Sequence, residues 1–570
     1  MRSFKKNAMV CALLVFVGCG QDKHGHPPTK LVWTQTGSQP HELFGHKAAG
    51  VGDVTGGGYD DLLIGGPGYD NRRGRAVLYM GSADGLGSGP AWTAEGEKPG
   101  DGFGEVVGAL GDINGDGYMD FFVSAPEYST PQLHHCGKVY IYLGAPHGPG
   151  NKPAWIAEGT TSEELFGDCA ASVGDVNGDG YPDLMIGAYG FDKFRGKVYL
   201  YLGSPRGYGE KADWTFRGEK EGDWMGYGIG PAGDVNGDGY DDVLLGSKYH
   251  NHPFHNAGKV YLFYGSARGL SSNADWVHYG EAAESRLGHH LSGAGDVNGD
   301  GYADVVIGAP GFDRSRGRAY LFLGSSSGLK DRADSVMEGQ VTGESFGTDV
   351  GSAEYIPGDG HAGVLVGGPG YATFPGSANL YLGSPTGVSP GPQVRRLGEA
   401  GGDGFGSIIG SAGDVNGSGT PAWFVCAPSF GEDKTELGKV YVYQSALPEA
   451  LTAHIRLSRE PGHSWVGPGG AIRSGKGSPF LTVTVQDLHG EFKLQAEVKE
   501  CGKAFDGSGL ITSDWMAQGH GTTGLELPGL ASGKAYRWRA RLVLKDDRTT
   551  HWYYPTWERL TGGASFRVLP

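Results

Sequence analysis

Nine residues, Asp112-Ile-Asn-Gly-Asp-Gly-Tyr-Met-Asp120, set oxygen-bearing side chains at regular intervals along one short stretch. Asp112, Asn114, Asp116 and Asp120 offer side-chain oxygens and Tyr118 its backbone carbonyl, while Gly117 permits the sharp turn that gathers them. Oxygen donors alone suit a hard cation such as calcium. Magnesium keeps more of its own waters, and zinc favours the Cys and His ligands that this stretch lacks. A polar Asn-Gly or Asp-Gly turn between two strands would use the same glycines with no ion.

Recurrence separates the two readings. The loops Asp175-Asn177-Asp179-Tyr181-Asp183, Asp234-Asn236-Asp238-Tyr240-Asp242 and Asp296-Asn298-Asp300-Tyr302-Asp304 repeat every ligand position. A turn requires only its glycines, so the retained carboxylates point to Ca2+ at about four sites. Three further copies are worn. Asp53, Thr55 and Asp61 form a weak site, because Gly57 stands where a carboxylate belongs. The copy at 355–363 has Tyr355, Pro357 and Gly363 at ligand positions, and the copy from Asp414 has Ser418 and Ala422; both read as turns without metal.

The elements that position these loops repeat with them, at intervals of 59 to 63 residues. Each unit opens on Phe-Gly or a variant: Phe44-Gly45, Phe103-Gly104, Phe166-Gly167, Met225-Gly226, Leu287-Gly288, Phe346-Gly347 and Phe405-Gly406. The loop follows, then a short apolar run such as Asp304 to Pro310, an alternating strand such as Gly196 to Gly203, and a short strand bearing tryptophan such as Trp214. Four short strands per unit predict an all-β fold, a β-propeller of seven blades. The seventh unit lacks its tryptophan strand, and Leu31-Val-Trp33-Thr stands unclaimed ahead of the first. Pairing that stretch with Gly438 to Gln444 closes the ring and removes an open edge.

The Phe-Gly, the Gly-Ala-Pro at Gly308 to Pro310 with its relatives Gly66-Pro67 and Gly368-Pro369, and the Asp-rich loops between them resemble the FG-GAP repeats of the integrin alpha-subunit propeller. The resemblance covers residues 30–445 and implies calcium loops on the lower face and adhesion-type binding of a protein or glycan. The leg and membrane span of that family have no counterpart here. FG-GAP blades also accompany hydrolytic domains, so an enzyme or enzyme subunit is the alternative, with a passive scaffold of an envelope complex as a third. No nucleophile elbow, phosphate-cradling loop or zinc-protease motif occurs, and the repeats leave no room for a catalytic domain; the expectation is a non-enzyme.

Residues 1–19 read as a secretory signal, with Arg2, Lys5 and Lys6 before an apolar run from Ala8 to Val17 that is too short to span a bilayer. The ending Gly18-Cys19-Gly20 resembles a bacterial lipobox, although Phe16 replaces the usual leucine. It implies lipidation at Cys19, a tether over 20–29, and an outer-membrane or cell-surface lipoprotein touching the membrane through its anchor alone. A net charge of −17 argues against nucleic acid as partner. Cys136, Cys169, Cys426 and Cys501 show no disulfide pattern.

Residues 446–570 leave the repeat. Leu481 to Val485, Phe492 to Val498 and Tyr536 to Leu542 alternate as half-buried strands of a small β-sandwich. The run Leu527-Pro-Gly-Leu530 to Trp538 resembles the end of a fibronectin type III domain. Arg537, Arg539 and Arg541 share a strand face, which could contact an anion or glycan or simply be solvated.

On the face opposite the Asp-rich loops, histidines gather at His134-His135, at His250, His252 and His255, and at His289-His290. Imidazoles there could hold a transition metal or respond to pH, or simply be solvated. Tyr69, Tyr128, Tyr189, Phe191, Tyr249, Phe312 and Tyr371 are candidates for ligand contact or for packing within the blades.

Overall fold

The computed structural model describes residues 29–445 apart from 356–360, 371–373, 419 and 432–434, and most strands of the tail between 452 and 569. The signal, Cys19 and residues 20–28 lie outside the described residues, as does Cys501. Seven four-stranded antiparallel sheets make up the first part. Blade two is typical, with strands Val107–Gly111, Asp120–Ala125, Lys138–Tyr142 and Trp155–Glu158 in that spatial order. The innermost strands abut one another in cyclic order, from Ala48–Gly52 of blade one round to Ile408–Gly413 of blade seven and back to blade one. This is a closed, seven-bladed β-propeller.

Closure follows the expected route. Thr29–Thr36 pairs antiparallel with Lys439–Ser445, placing Trp33 opposite Val442 and Thr34 opposite Tyr441. The N-terminal strand thereby becomes the outer strand of blade seven.

Three seams join each blade to the next, and each has a sequence cause. At the first, the Phe of Phe-Gly pairs with a glycine before the third strand of the preceding blade, as in Gly137 with Phe166 and Gly317 with Phe346. Gly317 has φ +82, and a Cβ there would stand 2.1 Å from the Phe346 carbonyl oxygen, so only glycine fits. The second seam is at the rim, where the outer-strand tryptophan donates to a carbonyl of the next blade: Trp92 Nε1 to Gly150, Trp214 Nε1 to Ser271 and, across the closure, Trp33 Nε1 to Gly87 at 3.0 Å. The third seam lies in the Asp-rich loops themselves.

The core lies between sheets. The second strands are buried throughout, for example Asp183–Ala188 and Asp304–Ala309, which explains their continuous apolar runs. Phe166 is buried and meets Tyr199 edge-on at 5.3 Å. Phe166→Ala is expected to cost about 3–5 kcal/mol, the usual penalty for emptying such a position. A urea melt of the variant would show a lower midpoint, and an unchanged midpoint would mean that this seam carries no weight.

In the tail, Thr452–Ser458, Phe480–Gln486 and Thr523–Glu526 form one sheet, while Gly470–Arg473, Phe566–Leu569, Ala535–Leu544 and Glu491–Glu500 belong to another. All three strand stretches expected from alternation fall on strands. The side chains of Arg537, Arg539 and Arg541 lie outside the described residues.

Candidate functional site

Each Asp-rich loop connects the first two strands of its blade, so the intact loops all emerge at one end of the ring. In blade two, Asp112 Oδ1 accepts from the N–H of Gly115 and Asp116, and Oδ2 from Gly117 at 2.7 Å. Asn114 Oδ1 accepts from Asp116 N–H and Asp116 Oδ1 from Tyr118 N–H. These short-range bonds coil the chain about its own carboxylates, with Gly115 and Gly117 at positive φ. The final Asp is fully buried: Asp120 Oδ2 accepts from Ile113 N–H and Oδ1 from Gly144 N–H, both at 2.8 Å. Asp183, Asp242 and Asp304 repeat that arrangement in blades three, four and five.

Each oxygen of Asp120 accepts one N–H and keeps lone-pair capacity, so these hydrogen bonds orient the carboxylate without consuming it. Electrostatics makes the pocket costly for anions. Burial holds the carboxyls of Asp120, Asp183, Asp242 and Asp304 well above the usual range, and the charge of the loop's first Asp adds to it. In blade one, burial pushes Asp61 up to about 8. A hard cation would reverse this penalty, and the all-oxygen donor set of each intact loop suits calcium.

The sign for pH follows. A carboxyl whose native pKa exceeds its unfolded pKa holds its proton better when folded, so stability drops as pH rises between the two values. In resin-stripped buffer the melting temperature is therefore expected to fall as pH rises from about 4 through about 8, and to flatten in excess calcium. Calorimetry across that window checks it, and equal slopes in both buffers would count against a cation at these carboxyls.

These loops also form the third seam. The first Asp of a loop accepts, at its backbone carbonyl, an N–H from the eighth position of the next loop: Met119 to Asp53, Asp241 to Asp175, Ala303 to Asp234, Ala362 to Asp296 and, across the closure, Asp60 to Asp414. Pro182 occupies that position in blade three and has no N–H to donate. Tyr118 lays its ring where a Cβ on Gly56 of the preceding loop would stand, and Tyr302 does the same at Gly237. Wherever this bond is made, whatever steadies one loop steadies its neighbour.

The worn copies differ in an informative way. In blade seven, Gln444 Nε2 donates to Asn416 Oδ1 at 3.1 Å and Ser418 Oγ at 2.7 Å, and Asn416 Nδ2 returns a bond to Gln444 Oε1. An amide N–H group there serves oxygens that a cation would otherwise satisfy. At the corresponding strand position the intact blades carry Leu143, Leu202, Tyr264 and Leu323. In blade one, Asp53 accepts from Thr55, Gly57 and Gly58 N–H, and Gly57 adds no oxygen. Most of the sixth copy lies outside the described residues.

At the other end of the ring, the aromatic candidates divide. Tyr69, Tyr128, Phe191 and Phe312 lie beneath Arg75, Lys138, Lys197 and Arg318, the first residues of their blades' third strands, at 3.6–5.4 Å from ring centroid to cation. These four are packing within blades. Tyr189 and Tyr249 instead join Trp224 and Tyr227, which the sequence reading missed: Tyr189 stacks on Trp224 at 4.5 Å, and Tyr249 meets it edge-on at 4.9 Å. Lys248 Nζ sits within 5.2 Å of the ring centres of Trp224, Tyr227 and Tyr249, and burial pushes its pKa down to about 7. Tyr371 lies outside the described residues.

At two blade boundaries the residues just after Phe-Gly or its variant meet side by side. His46 Nε2 contacts Glu105 at 2.9 Å, and His290 Nδ1 contacts Asp349 at 2.8 Å. Reading the first and second residues after every Phe-Gly as one series would have found this cluster. The histidines of blades two and four do not converge: His134 and His135 meet Glu163, and His255 meets Glu284. Cys136, Cys169 and Cys426 are free thiols. Among the described residues no helix is long and apolar enough to cross a membrane.

Comparison with known proteins agrees with this geometry. The FG-GAP repeat family matches residues 103–142, 170–201, 225–263 and 288–322, which fall in blades two to five and include the four intact loops or their flanking strands. Integrin alpha-PS2 of Drosophila melanogaster is 38% identical over 190 residues, 30% of this chain and 13% of that protein. Integrin alpha-6 of Gallus gallus is 39% identical over 155 residues, 27% of this chain and 14% of that protein. Integrin alpha-7 of Rattus norvegicus is 28% identical over 287 residues, 48% of this chain and 24% of that protein. The chain thus spans less than a quarter of the length of each of these relatives. The seven-bladed ring matches the FG-GAP repeat family in blades two to five and is similar over part of its length to integrin alpha chains.

Proposed function

We propose that this chain is a secreted, lipid-anchored surface protein that binds an extracellular or envelope protein or glycan through its propeller. Calcium in the loops of Asp112, Asp175, Asp234 and Asp296 stiffens one end of the ring, and the opposite end is the recognition face. Residues 1–19 serve as signal, Cys19 as the lipidated residue and 20–29 as tether. Residues 446–570 are a fibronectin type III-like sandwich acting as spacer or second contact.

The observation that carries this reading is the division of labour between the two ends. One end holds buried carboxylates knitted from blade to blade. The other gathers Tyr189, Trp224, Tyr227 and Tyr249 around the buried Lys248, and aromatic side chains are enriched at interfaces. Similarity to integrin alpha chains supports adhesion-type binding.

Crosslinking on intact cells, with the wild-type chain and with Trp224→Ala, tests it. One dominant partner, captured in calcium and lost in the variant, is the expected result. Equal capture by both chains would overturn the assignment of the face. Turnover of an ester, phosphodiester or glycan that vanishes with one point substitution would replace binding with the hydrolytic reading.

A further inference from the structure

The geometry points to a transition-metal site at the recognition end of blade two, formed by His134, His135 and Glu163 and separate from the calcium loops. Among the described residues, these are the three potential ligands whose donor atoms all lie within 4.8 Å of one another. His134 Nδ1 stands 2.7 Å from Glu163 Oε1, and His135 Nδ1 stands 3.3 Å from Oε2. Two imidazoles and one carboxylate are a donor set for Zn2+ or Cu2+, whereas calcium prefers oxygen alone.

The backbone holds these donors in place. Glu163 N–H donates to the His134 carbonyl, Leu165 N–H to that of His135 and Phe166 N–H to that of Cys136, so two loops from adjoining blades are stitched side by side. His134 N–H donates to Ser162 Oγ and His135 N–H to Ser129 Oγ. The imidazoles lie against each other with ring centres 3.8 Å apart, both presenting Nδ1 to one carboxylate. Cys136, next in sequence, is turned away: its thiol faces the Tyr128 carbonyl.

Other seams show what the position does without a metal. His41 meets Glu436, Lys193 meets Glu221, and His255 with Asn256 meets Glu284, which Arg286 also approaches at 3.7 Å, so one imidazole or ammonium makes the close contact with the facing carboxylate in each. A clasp needs one such group. Blade two supplies a second imidazole at the position of Asn256, and that addition converts a clasp into a three-donor set. The side chains of His134, His135 and Glu163 are 66%, 37% and 61% exposed, which leaves the outer coordination positions open to water or to a ligand from a partner.

Calorimetric titration of the untagged chain with Zn2+, in millimolar calcium, tests the site. One equivalent is expected to bind with micromolar affinity. His135→Asn rebuilds the clasp that blade four already carries, so it should fold normally yet weaken zinc binding at least about tenfold; Glu163→Gln should do the same. His255→Asn should leave zinc binding unchanged. Bound Cu2+ should show two-nitrogen coupling in its electron paramagnetic resonance spectrum, reduced to one in His135→Asn. Zinc affinity unchanged in both His135→Asn and Glu163→Gln, or binding only at millimolar zinc, would overturn the assignment.

Discussion

Stripped of calcium, the chain is expected to melt at least about 10 °C below its melting temperature in millimolar calcium. An ion that binds only the folded state stabilises by mass action, about 2.7 kcal/mol per site at one hundred times the dissociation constant. Four sites at that occupancy sum to about 11 kcal/mol, and even a large domain shifts by a degree or more per kcal/mol. The structural reason is local. Each intact loop buries its last Asp beside its first, and the loops bond to one another from blade to blade, so relief of repulsion in one loop firms the next seam. Magnesium at the same concentration should do much less, because it keeps its waters and fits octahedral sites. Thermal scans in calcium, magnesium and stripped buffer check this; matching transitions in all three would contradict it.

The second large effect concerns closure. A chain beginning after Thr36 lacks the outer strand of blade seven and exposes the edge of Lys439–Ser445. Such an edge is a template for intermolecular pairing, so the truncated chain is expected to aggregate and to lose a cooperative melt. Trp33→Ala keeps the strand but removes the bond to Gly87 and the edge-on contact with Tyr79 at 4.9 Å. Because Trp33 is only half-buried, its loss should cost about 2–3 kcal/mol rather than the ~3–5 of a fully buried aromatic. Size-exclusion chromatography and a urea melt of both variants decide the matter. A monomeric truncation with an unchanged melt would show that the ring does not depend on this strand.

The ring was legible in the sequence because repetition multiplies weak signals. One Asp112 loop reads equally well as a bare turn, whereas the same positions from Asp175, Asp234 and Asp296, behind Phe166-Gly167, Met225-Gly226 and Leu287-Gly288, mark a repeating unit. Trp33 was legible for the same reason, as a fourth strand without a blade. What escaped the reading lies between blades. Glu163 reaches His134 across a separation of 29 residues, and the pairing exists only because two loops are laid side by side. Gln444 enters the blade-seven loop from the third strand, although nothing in the loop's own residues calls for an amide.

Local backbone was also hidden. Tyr69–Arg72, Phe191–Phe194 and Phe312–Ser315 form short left-handed turns, with Asp70, Asn71 and Arg72 all at positive φ. Ion pairs three residues apart hold them: Asp70 with Arg73, Asp192 with Arg195 and Asp313 with Arg316. Propensity disfavours such a turn outside glycine, so only the surrounding structure selects it. The same turns place Tyr69, Phe191 and Phe312 under their cations, which is why residues that looked like ligand contacts are packing.

The central claim is that cations occupy the loops beginning at Asp112, Asp175, Asp234 and Asp296. Elemental analysis of the chain after equilibration in calcium and gel filtration tests it most directly, alongside single variants Asp120→Asn, Asp183→Asn, Asp242→Asn and Asp304→Asn. The account predicts about four calcium ions per chain, and one fewer in each variant. A chain that retains no calcium, or a count that none of the four substitutions lowers, would contradict it.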